Sequence, residues 1–248
     1  MNKRRRLSTL AVCALGLTLP AHATTWGPTE VPDPIKPGEV CQVSSPMSFG
    51  TYIYHWPSKF DQVFWPSTDP KGLWFCSSSG FIALMGDFDN LSDAERANVA
   101  SYLAHHKPSA TPSLAEKLDL VEQLYALRTK DDGFRNRLLR VLAYMHEVDG
   151  DQAEATRLRM QALVDIRQAL KADLPESQRL EYLFVSCAYE REFGDEERFA
   201  PCLKVLDDAL AKSTQKDLAG YVEYLTKLKA ELVKIAPGGQ LAPLGDEP

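Results

Sequence analysis

Residues 187–202 read CAYEREFGDEERFAPC, and the Gly194-Asp195 pair in the middle of this stretch decides how it folds. Glycine ends a helix well because it adopts positive φ, and aspartate begins the next helix by accepting hydrogen bonds from early backbone N–H groups. The stretch therefore predicts two antiparallel helices joined by a tight turn. Cys187 and Cys202 lie at equal distances from that turn, so they should face each other across the hairpin and form a disulfide.

A second hairpin of the same type precedes the first. Leu142-Ala143-Tyr144 leads to Gly150-Asp151 as Cys187-Ala188-Tyr189 leads to Gly194-Asp195, and the two glycines are 44 residues apart. The pattern resembles tetratricopeptide repeats in packing style, although that family repeats at about 34 residues. Stacked hairpins leave a concave surface that often binds peptides, so the resemblance implies a protein partner.

Helix-start patterns recur from residue 90 onward. Ser92 with Glu95, and Ser113 with Glu116, are capping boxes in which serine and glutamate each bond to the other's backbone N–H. Behind the second box, apolar residues recur at spacings of three and four, at Leu114, Leu118, Val121, Leu124 and Tyr125. We expect about seven helices between residues 91 and 235. Residues 90–236 thus form a predicted helical-hairpin domain, residues 237–248 a flexible tail, and the fold class is mainly α.

The residues before position 90 follow other patterns. Residues 40–89 combine aromatic and β-branched runs with glycine and proline breakers, which predicts a small β-rich module. Residues 24–39 carry four prolines and predict an extended segment that forms neither a helix nor a central strand.

Residues 1–23 have the features of a secretory signal peptide. A basic stretch at residues 3–6 is followed by an apolar run at 7–19 and by Ala21-His22-Ala23, so cleavage is expected before Thr24. The apolar run is too short to span a bilayer, so we expect a periplasmic or secreted chain with no stable membrane insertion after cleavage. Both general secretion and twin-arginine export remain open.

The charge balance argues against one class of partner. Cleavage would remove four basic residues and leave 24 Lys plus Arg against 34 Asp plus Glu, a net charge of −10. Because no run of Lys and Arg survives cleavage, such a chain repels phosphate backbones. The sequence therefore predicts no nucleic-acid partner.

Four cysteines remain after cleavage, and an even number in an exported protein indicates disulfides with three alternative pairings. If Cys187 pairs with Cys202, Cys41 is left with Cys76. A metal ion held by the thiolates, free thiols and other pairings stay open as alternatives.

The surroundings of Cys41 and Cys76 carry a family resemblance. Residues 41–44 and 76–81 have the shape of two zinc knuckles that each keep their first cysteine. With Ser58-Lys59-Phe60-Asp61, Pro66, Asp87-Phe88 and Leu91-Ser92, the stretch 40–103 resembles the bacterial family called domain of unknown function 2225. That family has a four-cysteine zinc ribbon followed by tetratricopeptide-like helices.

Ser44 and Ser79 stand where that family has its second knuckle cysteines. A serine hydroxyl is a poor zinc ligand, and the knuckles of a ribbon face each other. The resemblance therefore implies a degenerate ribbon in which a Cys41–Cys76 disulfide replaces the metal ion. It implies nothing about activity, because the family's own function is undescribed.

Motifs for catalysis are scarce. The sequence contains no His-Glu-x-x-His, Gly-x-Ser-x-Gly or phosphate-binding loop, and the histidines after cleavage are His55, His105, His106 and His146. Asp87 and Asp89 could supply two carboxylates, but turn and helix-entry roles suit them better. The aromatic residues of the module are better suited to its core than to a binding surface; these are Trp56, Phe64, Trp65 and Trp74. We predict no catalytic, metal-binding or cofactor-binding residue and no cofactor.

The sequence leads to a non-enzymatic protein-interaction or scaffold module as the functional hypothesis. One alternative is a metal-binding module. The other is a hydrolase whose site lies between the ribbon and the helices, where Asp61, Asp87 or His55 would converge with perturbed pKa values.

Overall fold

The computed structural model describes residues 26–47, 58–64 and 66–242. The predicted signal peptide lies outside these residues, as do His55, Trp56, Trp65 and the last six positions of the predicted tail. Within the described part the chain forms four short strands followed by seven α-helices, so the mainly α fold class is confirmed.

Two antiparallel strand pairs make up the β-rich region. β1 (Trp26–Pro32) pairs with β2 (Val40–Pro46), and β3 (Leu73–Phe75) pairs with β4 (Ile82–Leu84). Residues 26–32 are extended, as expected, but residues 33–39 form bends and a turn that connect β1 to β2. Because β1 and β2 belong to one hairpin, the boundary at residue 40 divides one structural unit. β1 tolerates its prolines because it is an edge strand, where a missing N–H donor costs little.

The described residues form seven α-helices, in agreement with the predicted number. Their bounds are α1 (Asp93–His105), α2 (Leu114–Ala126), α3 (Asp132–Val148), α4 (Gln152–Ala169), α5 (Glu176–Glu192), α6 (Glu196–Lys212) and α7 (Ala219–Lys229). Both capping boxes are formed, at the starts of α1 and α2. A 3-10 turn at Leu232–Lys234 follows α7.

The two predicted hairpins are α3 with α4 and α5 with α6. Gly150 and Gly194 end the first helix of each pair with φ of 94° and 73°. Asp151 and Asp195 begin the second helix by accepting hydrogen bonds from backbone N–H groups three residues later. The Gly-Asp pair therefore acts as predicted, because glycine reaches the left-handed region without strain.

A single apolar core runs through the strands and all the helices. Phe81 and Phe88 of the β-rich region are fully buried and their rings are 5.1 Å apart. The backbone N–H of Leu84 donates to the hydroxyl of Tyr125 on α2 over 3.2 Å. The β-rich module and the helices therefore pack against each other and share one core.

The tail predicted from residue 237 is partly ordered against the helices. The N–H of Gly238 donates to the carbonyl of Glu192, and the N–H groups of Leu241 and Ala242 donate to the carboxylate of Glu147. Leu241 and Ala242 are buried. Residues 237–242 of the predicted tail thus lie against the helices, where their backbone donors satisfy a buried carboxylate.

In the part of the chain that the structure describes, no helix has both the length and the apolar character needed to cross a bilayer.

Candidate functional site

Both predicted cysteine pairs lie at disulfide distance. Cys41 on β2 is bonded to Cys76 at the end of β3, and Cys187 on α5 is bonded to Cys202 on α6. The Cα atoms are 4.8 Å apart in the first pair and 5.5 Å in the second, which is ordinary disulfide geometry.

The two serines at the predicted knuckle positions, Ser44 and Ser79, have different surroundings. Ser44 lies three residues from Cys41 on a regular strand, so it points to the opposite face. Ser79 accepts a hydrogen bond from the backbone N–H of Phe81. The hydroxyl near the disulfide is that of Ser78, 3.1 Å from the sulfur of Cys76.

The other predicted candidates are dispersed. His105 and His106 each contact a backbone carbonyl of their own helix and are exposed, while His146 is buried near Asp151. Trp74 donates from its ring nitrogen to the carbonyl of Ser44.

Asp87 is buried at the entry to α1, whereas Asp89 is exposed. The Asp87 carboxylate lies 2.9 Å from Nη2 of Arg128 and 2.6 Å from Nζ of Lys130. Arg128 also donates to the carbonyls of Asp87 and Asn90, which fixes the chain before α1. This arrangement supports the helix-entry role and gives Asp87 two cationic partners.

Asp61 lies in a polar site whose side chains are fully buried. Its segment, residues 58–64, is here called the clamp segment. Both oxygens of Asp61 receive hydrogen bonds of 2.9 Å from the guanidinium of Arg159 on α4. Tyr189 on α5 donates to Oδ1 over 2.7 Å, and Ser58 donates to Oδ2 over 2.5 Å. Each oxygen of the Asp61 carboxylate thus accepts two hydrogen bonds.

Arg159 binds two further carboxylates. Its Nη1 lies 2.8 Å from Glu147 on α3 and 3.0 Å from Glu192 at the end of α5. The side chains of Arg159 and Asp61 are fully buried, and those of Glu147 and Glu192 are 1% and 2% exposed. These four residues, Asp61, Glu147, Arg159 and Glu192, are here called the arginine cluster.

The arginine cluster holds three acids and one base, and one proton reduces its net charge from −2 to −1. Burial raises the pKa of Glu192 to about 8; Arg159 opposes the rise and the charge of Asp61 adds to it. Glu192 is therefore mostly protonated at neutral pH. The pKa of Arg159 lies well above its ordinary value, because the nearby carboxylates outweigh the burial that opposes its charge.

A second buried arginine ties the clamp segment to the first helix of each hairpin. Arg140 on α3 donates to the carbonyl of Asp61 over 2.7 Å, to Oδ1 of Asn136 over 3.1 Å and to Glu181 on α5 over 2.5 Å. Gln62 has a positive φ of 51° and contacts the hydroxyls of Tyr221 and Tyr224 on α7. The clamp segment thus covers the face formed by α3, α5 and α7.

An open groove lies on the other side of the arginine cluster, between α4 and the turn from α5 to α6. Its volume is about 680 Å³. Met160 and Val164 lie one helical turn apart on α4 and are 55% and 62% exposed. The groove, here called the α4 groove, is lined by apolar and charged side chains that include Leu163, Phe193, Arg167, Glu190, Asp195 and Arg198, with Glu192 in its wall.

The charges of the α4 groove are already paired. Arg167 on α4 lies 2.5 Å from Glu190 on α5, and Arg198 on α6 lies 3.2 Å from Asp195, the residue before that helix. The groove therefore exposes the apolar side chains of Met160 and Val164 between charged groups that already form ion pairs. Such a surface is better suited to an apolar ligand than to a single ion.

A smaller cavity of about 250 Å³ lies between the β-rich module and α3. Asp87 and Arg137 line it, but Asp61 does not, and His55 lies outside the described residues. Asp61 and Asp87, the two carboxylates of the hydrolase alternative, therefore do not line the same cavity in the described part of the chain.

Sequence reasoning missed the arginine cluster, although one pattern could have revealed part of it. Arg159 stands at helical spacing within the apolar stripe of α4, between Ala155 and Ala162. A charge in such a stripe requires a buried counter-charge, which only the tertiary fold supplies.

No family model, curated protein or solved structure matches this chain. The resemblance to the domain of unknown function 2225 family stays a prediction.

Proposed function

We propose that this chain is an exported, non-enzymatic interaction module that binds a partner protein through the α4 groove. The observation that carries the proposal is the pair of exposed apolar residues, Met160 and Val164, one turn apart in a groove of about 680 Å³. Large exposed apolar side chains that line one concavity are typical of protein-binding surfaces.

The helical face on the opposite side is a weaker candidate. In tetratricopeptide-like stacks the inner helices bind peptides, and here α3, α5 and α7 would play that part. Asp61 of the clamp segment is bonded to Arg140 and Tyr189 on this face, and its side chain is fully buried. A partner on this face would have to displace the clamp segment and break the buried ion pair between Asp61 and Arg159, at a cost of several kcal/mol.

The chemistry of the α4 groove favours an amphipathic helix as the partner segment. A helix with aliphatic side chains at positions i and i+4 matches the spacing of Met160 and Val164. Because Arg167 and Arg198 already have acidic partners, charged residues of the ligand would stay at the rim. Glu192, which lies in the wall of the groove, is held by Arg159, and a wall fixed in this way lowers the entropy cost of binding.

Export is supported by the two disulfides and by the expected signal peptide. Disulfides persist mainly in oxidising compartments, and both pairs join segments that are already packed together.

The test is site-specific photo-crosslinking in the native host. A photoreactive residue replaces Met160 in one variant and Val205 in a control; Val205 is 52% exposed on α6 and does not line the groove. We expect one protein to crosslink at position 160, and the adduct to be lost when Val164→Lys is added. Equal crosslinking at both positions, or no adduct specific to position 160, would overturn the proposal.

A further inference from the structure

The surroundings of the Cys41–Cys76 disulfide contain a buried carboxylate. Asp33 is 4% exposed, and its Oδ1 accepts from the N–H groups of Ile35 and Lys36 over 2.8 and 3.1 Å. Its Oδ2 lies 3.2 Å from the sulfur of Cys76 and accepts from the hydroxyl of Ser78 over 2.6 Å. A disulfide sulfur carries no hydrogen, so the close approach of Oδ2 to Cys76 is not a hydrogen bond.

The donor atoms of Asp33, Cys41 and Cys76 all lie within 4.8 Å of one another, and all three residues are buried. Neighbouring ligands of a tetrahedral zinc ion are about 3.5 to 3.8 Å apart, given bond lengths near 2.1 Å to oxygen and 2.3 Å to sulfur. Once the sulfurs separate, the three atoms can face one ion. Among the described residues this is the one such group of three metal-ligating side chains.

We propose that reduction of this disulfide creates a zinc site formed by Cys41, Cys76 and Asp33, with Ser78 or a water molecule at the fourth position. A dithiol reductant supplies two electrons and two protons to the sulfur–sulfur bond and is itself oxidised to a disulfide. Binding of Zn²⁺ then releases one proton from each cysteine, since thiolates are the metal ligands. The site is thus either a closed disulfide or a metal centre, according to the redox state.

Charge favours the ion in the reduced form. Two thiolates and the Asp33 carboxylate would place three negative charges in a buried space. Binding of a divalent cation would reduce the net charge of the site to −1. The ammonium group of Lys36, which donates to the carbonyl of Ser78, lies at the edge of the same turn. The donor set differs from the one implied by the zinc-ribbon resemblance, because Asp33 and Ser78 take part while positions 44 and 79 do not.

The second disulfide provides an internal control. The sulfur of Cys202 contacts the backbone carbonyl of Leu183 at 3.7 Å, and no described carboxylate or histidine completes a set of three metal-ligating side chains with Cys187 and Cys202. Reduction of that pair yields two thiols with no third ligand, so it should hold zinc far more weakly.

The first experiment uses the unaltered chain. The protein is reduced with a phosphine, given one equivalent of Zn²⁺ and treated with an alkylating agent, and mass spectrometry then reports the modification of each cysteine. We expect zinc to slow alkylation of Cys41 and Cys76 at least tenfold and to leave Cys187 and Cys202 unprotected. Equal protection of both pairs, or protection of neither, would overturn the proposal.

The second experiment tests the carboxylate. Asp33→Asn keeps an oxygen that can accept from Ile35 and Lys36 but removes the charged ligand. We expect zinc affinity of the reduced variant to fall at least tenfold, and Co²⁺ bound to the unaltered reduced chain to show tetrahedral absorption with a thiolate charge-transfer band. Unchanged zinc affinity in a variant that keeps its helical circular dichroism would exclude Asp33 as a ligand.

Discussion

Asp61 and Asp87 are two acids of the β-rich region that are both anchored to arginines of the helical region, but their sites differ in charge balance. Asp61 shares the single cation Arg159 with Glu147 and Glu192. Asp87 has two cationic partners, Arg128 and Lys130, and the guanidinium of Arg128 also acts on the nearby carboxylate of Glu95. The first site therefore has more acids than bases, whereas the second has two of each.

The charges of the two sites are compensated by different means. In the arginine cluster a proton on Glu192 neutralises the third acid, because burial raises the pKa of that residue to about 8. Near Asp87 the acids and bases are equal in number, and the guanidinium of Arg128 also lies 4.6 Å from the centre of the Tyr125 ring. The comparison shows that a buried cluster with excess acid takes up a proton, which makes its stability sensitive to pH, whereas a cluster with matched charges needs none.

The largest effect is expected for Arg159→Met, which removes the one cation of the arginine cluster. Unpaired buried carboxylates cost about 5 kcal/mol of unfolding free energy, or prevent folding. Arg157→Met is the matched control, because Arg157 lies on the same helix with a side chain 45% exposed and should cost less than about 1 kcal/mol. Urea denaturation measures both, and similar losses would show that Arg159 has no special role.

The second largest effect should be a loss of stability as the pH rises. Below about pH 4.5 Glu192 is protonated in both states, and its contribution to stability is complete. As the pH rises to about 8 the unfolded chain releases this proton while the folded chain keeps it, so the unfolding free energy falls by the order of 4 kcal/mol and then levels off.

Glu192→Gln replaces the protonated acid with a neutral amide of the same shape. We expect the decline between about pH 5 and 8 to become much shallower in denaturation curves recorded across that range. If the variant and the original chain keep the same slope, the proton is not on Glu192.

A smaller loss is expected for Asp87→Asn, which leaves Arg128 and Lys130 without their anion. The variant should lose about 2 kcal/mol in chemical denaturation, because Tyr125 still stabilises the guanidinium. Asp89→Asn is the control and should change stability by less than about 0.5 kcal/mol, since Asp89 is exposed.

The smallest effect tests whether the second cation near Asp87 is redundant. Lys130→Met keeps the aliphatic contact of a side chain that is 11% exposed, and Arg128 remains paired with Asp87. The loss should stay below about 1 kcal/mol by thermal denaturation. A loss as large as that of Asp87→Asn would mean that Lys130 is the principal partner.

The sequence predicts local structure well in this protein. The capping boxes at Ser92 and Ser113, the Gly-Asp turns and the Cys187–Cys202 pair all depend on residues close in the chain, and the structure contains them. These features follow from backbone chemistry that needs no tertiary information.

The predictions fail where distant segments meet. Sequence patterns place Asp61 in the family-like motif and in the hydrolase alternative but give no indication of Arg159, because the pairing of the two residues spans 98 positions. The hydrogen bonds of the segment 237–242 are equally hidden, because the proline and glycines of this segment suggest a loose end and the acceptor, Glu147, lies 94 and 95 positions away.

The contact of Leu241 and Ala242 with Glu147 also has a consequence for biosynthesis. The arginine cluster draws on residue 61 near the start of the folded part and on backbone donors at 241 and 242. A nascent chain cannot complete these bonds until the segment at 238–242 has left the ribosome. Such long-range closure is slow, so the arginine cluster should be completed only after the helical hairpins have formed.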